Sequence, residues 1–158
     1  MPSDAAAPGF GLAMRPGFLI RRLHQIHVAL FIAECAGFDV TPVQYSILTA
    51  VQAHPGLDQA TLGATVGVDR ATLANVVGRL EARKLVRRRA SPSDKRLRLV
   101  MPTAKTARLL ADMEQAARRA HERTIAALPP KERQSFVSAL GRLVEAGNGH
   151  GRAALRIK

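Results

Sequence analysis

The stretch from Leu85 to Met101 satisfies its own pattern only as an extended chain. Leu97, Leu99 and Met101 alternate with Arg96, Arg98 and Val100, and the side chains of a strand point to opposite faces in turn. Leu85-Val86-Arg87-Arg88-Arg89-Ala90 precedes this run, and Ser91-Pro92-Ser93-Asp94 between the two has the chemistry of a turn. The segment reads as a β-hairpin from about Val86 to Val100. The patterns around it are helical, so the fold has to seat one small hairpin among helices.

Residues 1–16 read as a flexible arm rich in Ala, Gly and Pro. A first helix follows Pro16-Gly17, because Leu19, Leu23, Ile26 and Leu30 recur at helical spacings, and Gly37 can stop it. Thr41-Pro42 starts a second helix that runs to about Ala53, with Val43, Ile47 and Val51 inward. Asp58 caps a short third helix from Gln59 to Val66, and Gly67-Val68 turns the chain. Asp69 then caps a fourth helix from Arg70 to about Arg83, with Leu73, Val76, Val77 and Leu80 inward. Short helix, glycine turn and capped second helix make helix-turn-helix spacing. The hairpin comes directly after, which is the order of a winged helix.

Thr103 caps a fifth helix to about Leu128, ~39 Å long at ~1.5 Å per residue. Pro129-Pro130 breaks it, and a sixth helix from Lys131 to about Ala146 carries Phe136, Leu140, Leu143 and Val144. Residues 147–158 form a basic, Gly-rich tail. The fold class is mainly α with a small β-hairpin wing: a winged helix-turn-helix core plus a helical region made of helices 1, 5 and 6.

Charge decides what such a fold is for. Lys and Arg number 24 against 12 acids in 158 residues, a net charge of +12. Between Arg83 and Arg98 there are eight cations and one acid, Asp94. Like charges at this density repel one another, and a phosphate backbone removes that cost by counterion release. Aromatic residues are only 4% with no Trp, which argues against base-stacking on single strands.

A lone cysteine, Cys35, forms no internal disulfide and suits a reducing compartment. The first residues lack the basic and apolar regions of a secretion signal. The apolar stretch from Phe18 to Ala36 is interrupted by Arg21, Arg22, His24, Gln25 and His27, so no membrane span is expected. A cytoplasmic location follows. No phosphate loop, metal-ligand cluster or nucleophile–base pattern points to an enzyme, and no cofactor is implied. His24 and His27 sit at i, i+3 but lack an obvious third and fourth metal ligand besides Glu34 or Cys35.

These segments resemble the MarR family of transcription regulators. Its wing pattern, Asp-Pro-x-Asp-x-Arg followed by a strand, is matched by Ser91-Pro92-Ser93-Asp94-Lys95-Arg96 and the run Leu97 to Met101. Val68 to Leu73 and Arg79 to Val86 are similar to its recognition helix and exit, and Thr41 to Leu48 to its second helix. Ser91 replaces an Asp of the pattern, Lys84 and Lys105 stand where Gly is usual, and Pro102 stands for Leu. The match spans about Phe18 to Ala146.

The resemblance implies a homodimer with dimerisation helices at 17–37 and 103–146 and a DNA-binding part at 41–101. It implies double-stranded DNA as partner, on a pseudo-palindromic operator with half-sites ~34 Å apart. Helix 4 would lie in the major groove, with Arg70, Thr72 and Asn75 at bases and Gln59 and Arg79 nearer phosphates. Arg96 would enter the minor groove, oriented by a salt bridge to Asp94, while Arg88, Lys95 and Arg98 hold phosphates. The resemblance also implies a repressor released by a small aromatic or phenolic carboxylate. Arg22, His24, His27, Phe31 and Tyr45 are the candidates for that effector, supplying cations and rings on helices 1 and 2. The alternatives are a constitutive or architectural DNA binder without a ligand, and a redox sensor acting through Cys35.

Overall fold

A computed structural model of the chain describes residues 11–150. Most of the expected arm (residues 1–10) and of the expected tail (residues 151–158) lie outside the described residues. The order is α1 (Pro16–Glu34), α2 (Pro42–Ala53), β1 (Leu57–Asp58), α3 (Gln59–Val66), α4 (Arg70–Ala82), β2 (Val86–Ala90), β3 (Arg98–Pro102), α5 (Ala104–Thr124) and α6 (Pro130–Gly147). Short 3-10 turns cover Leu12–Met14, Ala36–Phe38 and Asn148–His150.

Local chemistry accounts for the helix starts. At α2 the Thr41 hydroxyl accepts from the Gln44 backbone N–H at 3.2 Å, and the Gln44 side-chain oxygen accepts from the Thr41 N–H at 3.0 Å. This reciprocal box satisfies two N–H groups the helix itself cannot use. At α3 the Asp58 carboxylate accepts the N–H groups of Ala60 and Thr61 and the Thr61 hydroxyl, the last at 2.6 Å. These bonds, the Thr61 hydroxyl foremost, hold the Asp58 carboxyl below the usual range. Gly67, at φ 70°, closes α3, and the Val68 N–H returns to the Gly63 carbonyl. A Cβ on Gly63 would stand 2.9 Å from the Val68 carbonyl oxygen, so the tight turn requires glycine there.

Two helix ends differ from the sequence reading. α1 stops at Glu34, and Asp39, not Gly37, takes the left-handed conformation at φ 50°. Asp tolerates that region through its short polar side chain. α5 ends at Thr124 rather than near Leu128. The carbonyls of Ala126 and Leu128 are instead taken by the Arg133 guanidinium, at 3.2 and 3.0 Å.

The sheet has three antiparallel strands in the order β1-β3-β2, with Val100 opposite both Leu57 and Arg88. β1 is too short to leave a period in the sequence. The burial of β3 settles which of its two alternating faces is inward. Val100 is fully buried, while Leu97 is exposed and Leu99 and Met101 are half-buried. β3 is the central strand, and the face that carries Val100 and Val86 meets the core.

That core joins Ile47, Leu62, Leu73, Leu80, Val100 and Met113 from five elements. Each such side chain contributes roughly 1.5–3 kcal/mol by leaving water. Val43, expected inward, is 40% exposed, and Leu48 takes its place. α1 packs on α5, and Glu34 ties them by accepting from Arg119 and Arg123, both at 2.8 Å. α6 buries none of its residues, and α1 buries only Phe31.

Candidate functional site

The helix-turn-helix presents one face of α4. Thr72, Asn75 and Arg79 are exposed along it, and Arg70 is exposed at the helix start, on the side of α3. The Thr72 hydroxyl donates to the capping carboxylate of Asp69 at 2.7 Å. The hydroxyl is thereby satisfied, and the methyl is left as the group available to a thymine methyl. Gln59, half-buried at the start of α3, shares with Arg70 a crevice of about 190 Å³ between the two helices. The two predicted contacts are thus brought to one edge.

In the wing, Ser91, at the position of the pattern's first aspartate, holds the turn together. Its buried hydroxyl accepts from the backbone N–H groups of Ser93 and Asp94, at 3.3 and 3.4 Å, and contacts the Ser93 hydroxyl. The Ser91 N–H donates to the Leu97 carbonyl at 3.0 Å and closes the loop. Asp94 does not pair with the Arg96 guanidinium as expected. Its carboxylate accepts the Arg96 backbone N–H at 2.9 Å. A short side chain two residues back reaches the backbone more readily than the far end of an arginine. Asp94 shapes the turn and leaves the Arg96 side chain exposed beside Lys95 and Arg98.

Two cations of the run are engaged within the fold. Arg83 donates to the carbonyls of Asp39 at 2.7 Å and Phe38 at 3.4 Å, which holds the α4 exit to the α1–α2 connection. Arg88, expected on a phosphate, is instead clamped by Glu81, its Nε and Nη2 donating at 2.9 and 2.7 Å. Hydrogen bonds from Arg88 hold the Glu81 carboxyl below its usual range. Among the described residues, no ion pair engages Arg87, Arg89, Lys95, Arg96 or Arg98.

The exit from α4 explains two further departures from the family pattern. Lys84 adopts φ 60°, its N–H returns to Glu81 at 2.8 Å, and the Leu85 N–H returns to Leu80 at 2.9 Å. That is a Schellman turn, normally made with glycine. The Lys105 ammonium donates to the Arg83 carbonyl at 3.2 Å, which places a cation at the negative end of α4. The Lys84→Gly variant should be more stable by about 0.5–1 kcal/mol, as relief of left-handed strain outweighs the added freedom of the unfolded chain. A urea midpoint no higher than wild type would contradict this.

The expected effector residues divide. His27, Phe31 and Tyr45 meet at the junction of α1, α2 and α5, where they are joined by His121. The His27 and His121 rings stack with centroids 5.1 Å apart, and Phe31 lies 5.4 Å from Tyr45 and 6.4 Å from His121. His27 Nδ1 and the Thr124 hydroxyl are 2.9 Å apart. His121 was missed because 94 residues separate it from His27, and no local pattern marks it. Arg22 and His24 are exposed and outside this cluster; Arg22 bonds Gln25. Among the described residues, no group of three His, Cys, Asp or Glu is placed to hold a metal ion.

Burial, then the charges of His121 and His24, hold His27 below the ordinary imidazole value. The unfolded chain then takes up the proton first, so stability falls as pH drops through about 6.5. Urea midpoints at about pH 7.5 and about pH 5.5 should differ more for wild type than for His27→Asn. Equal differences would contradict the coupling. Tyr45 is pushed up by burial and by Glu114. Cys35 is buried, and burial with the Glu34 charge raises its thiol. That suppresses the thiolate a redox sensor needs.

An exposed α4 face followed by a cationic hairpin defines a winged-helix DNA-binding protein. The chain belongs to the MarR family: a family model for it matches residues 38–97. The chain is 32% identical over 135 residues to the HTH-type transcriptional repressor NicR of Pseudomonas putida, covering 85% of each chain. The PcaV transcriptional regulator of Streptomyces coelicolor, solved in complex with its natural ligand, is 34% identical. Its TM-score is 0.78 over 89% of this chain and 99% of PcaV. Bordetella bronchiseptica BpsR, whose DNA binding is regulated by 6-hydroxynicotinic acid, is 29% identical with a TM-score of 0.81 over 86% of this chain and 97% of BpsR. The chain is a DNA-binding transcription regulator of this family.

Proposed function

We propose that the chain is a homodimeric repressor that leaves a pseudo-palindromic operator when a small aromatic carboxylate binds. The observation that carries the DNA reading is the set of exposed wing cations, Lys95, Arg96 and Arg98, which have no ion pair among the described residues, together with the exposed face of α4. Arg70, Thr72 and Asn75 face bases, Gln59 and Arg79 face phosphates, and Arg96 enters the minor groove. Residues 41–101 bind DNA, while 17–37 and 103–146 form the dimer. The dimer is supported by apolar side chains left in the open on α1 and α6, among them Ile20, Ile32, Val137 and Leu143. These helices lack a cover that a second copy supplies.

His27, Phe31, Tyr45 and His121 receive the effector, with Arg22 and His24 near its approach. The partly exposed rings of His27, Tyr45 and His121 stack on an aromatic ligand above the buried Phe31, and an imidazole or Arg22 meets its carboxylate. The regulation of BpsR DNA binding by 6-hydroxynicotinic acid supports this class of effector. The protein works without cofactor or catalysis, in the cytoplasm with its DNA; among the described residues no helix is long and apolar enough to cross a membrane. The test selects an operator from a random duplex pool, then titrates benzoate, hydroxybenzoates and 6-hydroxynicotinate into the complex while following anisotropy. Release by at least one acid is expected. Operator binding indifferent to all of them would favour a constitutive binder.

A further inference from the structure

We propose that Glu81 is a positioning residue that fixes the wing to the recognition helix, so that both grooves are read by one rigid unit. The inference deepens the reading of the chain as an operator-binding regulator and rests on it.

Glu81 lies in the last turn of α4, and Arg88 is the third residue of β2. One carboxylate oxygen accepts the Arg88 backbone N–H at 2.8 Å; the other accepts its Nε and Nη2. β2 is an edge strand, so every second N–H points out of the sheet. Glu81 fills one of these. The strand is therefore held by its backbone and by its side chain at once, and the fork geometry of arginine permits little rotation about the joint.

Magnitude separates this role from a stabilising one. Both side chains are about a third exposed, and ion pairs in such positions add little to stability. What the pair supplies is geometry. It spans the turn between helix and wing at Lys84 and adds a side-chain tie to the hairpin, whose base is anchored by the buried Val86 and Val100. Arg98 sits on the same sheet face and borders one hollow of about 360 Å³ with Glu81 and Arg88. The carboxylate thus lies among two guanidinium groups. Without it they repel each other, and Arg88 becomes available to phosphate.

The test compares wild type, Glu81→Gln and Arg88→Met on an operator selected by the wild-type protein and on a scrambled duplex of equal length. Glu81→Gln should bind the scrambled duplex more tightly, with a salt slope steeper by about one, since a cation is released to phosphate. Its preference for the operator should fall about tenfold, the cost of one misread position. Hydroxyl-radical protection should weaken in the minor groove under the wing and persist around the α4 site. Arg88→Met should lose the same preference with its salt slope unchanged. An unchanged preference in Glu81→Gln, with a salt slope lowered by about one in Arg88→Met, would overturn the proposal and make Arg88 a phosphate contact. A wild-type chain that enriches no sequence from the pool would overturn this proposal together with the operator reading, whereas the variant results bear on Glu81 alone.

Discussion

Replacing Phe31 with alanine is expected to cost about 3–5 kcal/mol of unfolding free energy. The ring is 1% exposed and sits among His27, Tyr45 and His121 at the junction of three helices. Its removal forfeits the transfer energy of an aromatic side chain, opens a cavity, and takes away contacts with three neighbouring rings. Phe31→Leu keeps much of the volume and should cost less than about 1.5 kcal/mol. Urea unfolding of the two variants gives the comparison. A loss below about 1 kcal/mol in Phe31→Ala would mean that the junction collapses onto the vacancy or that the ring is not core. The leucine variant also separates the two roles given to this position, because it should fold well yet bind aromatic acids weakly.

Replacing Arg96 with alanine is expected to weaken operator binding by tenfold or more, about 1–3 kcal/mol, with almost no change in stability. The side chain is exposed and has no ion pair among the described residues. Its loss therefore removes a partner of DNA and no partner of the fold. Arg98→Ala should act differently. It should weaken binding to all sequences alike and lower the salt slope by about one, as the loss of a phosphate contact does. Asp94→Ala should imitate Arg96→Ala in part, since the carboxylate holds the Arg96 backbone N–H and hence the aim of the turn. Anisotropy titrations at several salt concentrations distinguish these outcomes. Equal losses on operator and scrambled DNA in Arg96→Ala would remove Arg96 from the minor groove.

The parts of the fold that were legible in the sequence are those written in local chemistry. Asp58, Gly67 and Asp69 bound α3 and the start of α4 because capping and left-handed closure involve residues two to four positions apart. The hairpin and its turn were legible for the same reason. β1 was not, since two residues make no period and the strand exists only because β3 lies beside it. For β3, alternation gives two faces without saying which meets the core, and it is the Val100 face that does.

The candidate site divides along the same line. Arg70, Thr72, Asn75 and Arg79 follow from helical geometry after a visible cap, and they lie exposed on α4 as read. Arg83 and Arg88 were counted with the wing's free cations because net charge is additive along a sequence. Whether a cation is free depends on a partner elsewhere, here the carbonyls of Phe38 and Asp39 for one and Glu81 for the other. His121 joined the aromatic cluster only when α5 packed on α1. The sequence by itself determined which elements form, where they start, and that they carry an excess of positive charge, because those properties rest on neighbours along the chain. Only the tertiary structure decided which charges remain available and which rings meet, because those depend on distances between residues the chain brings together from far apart.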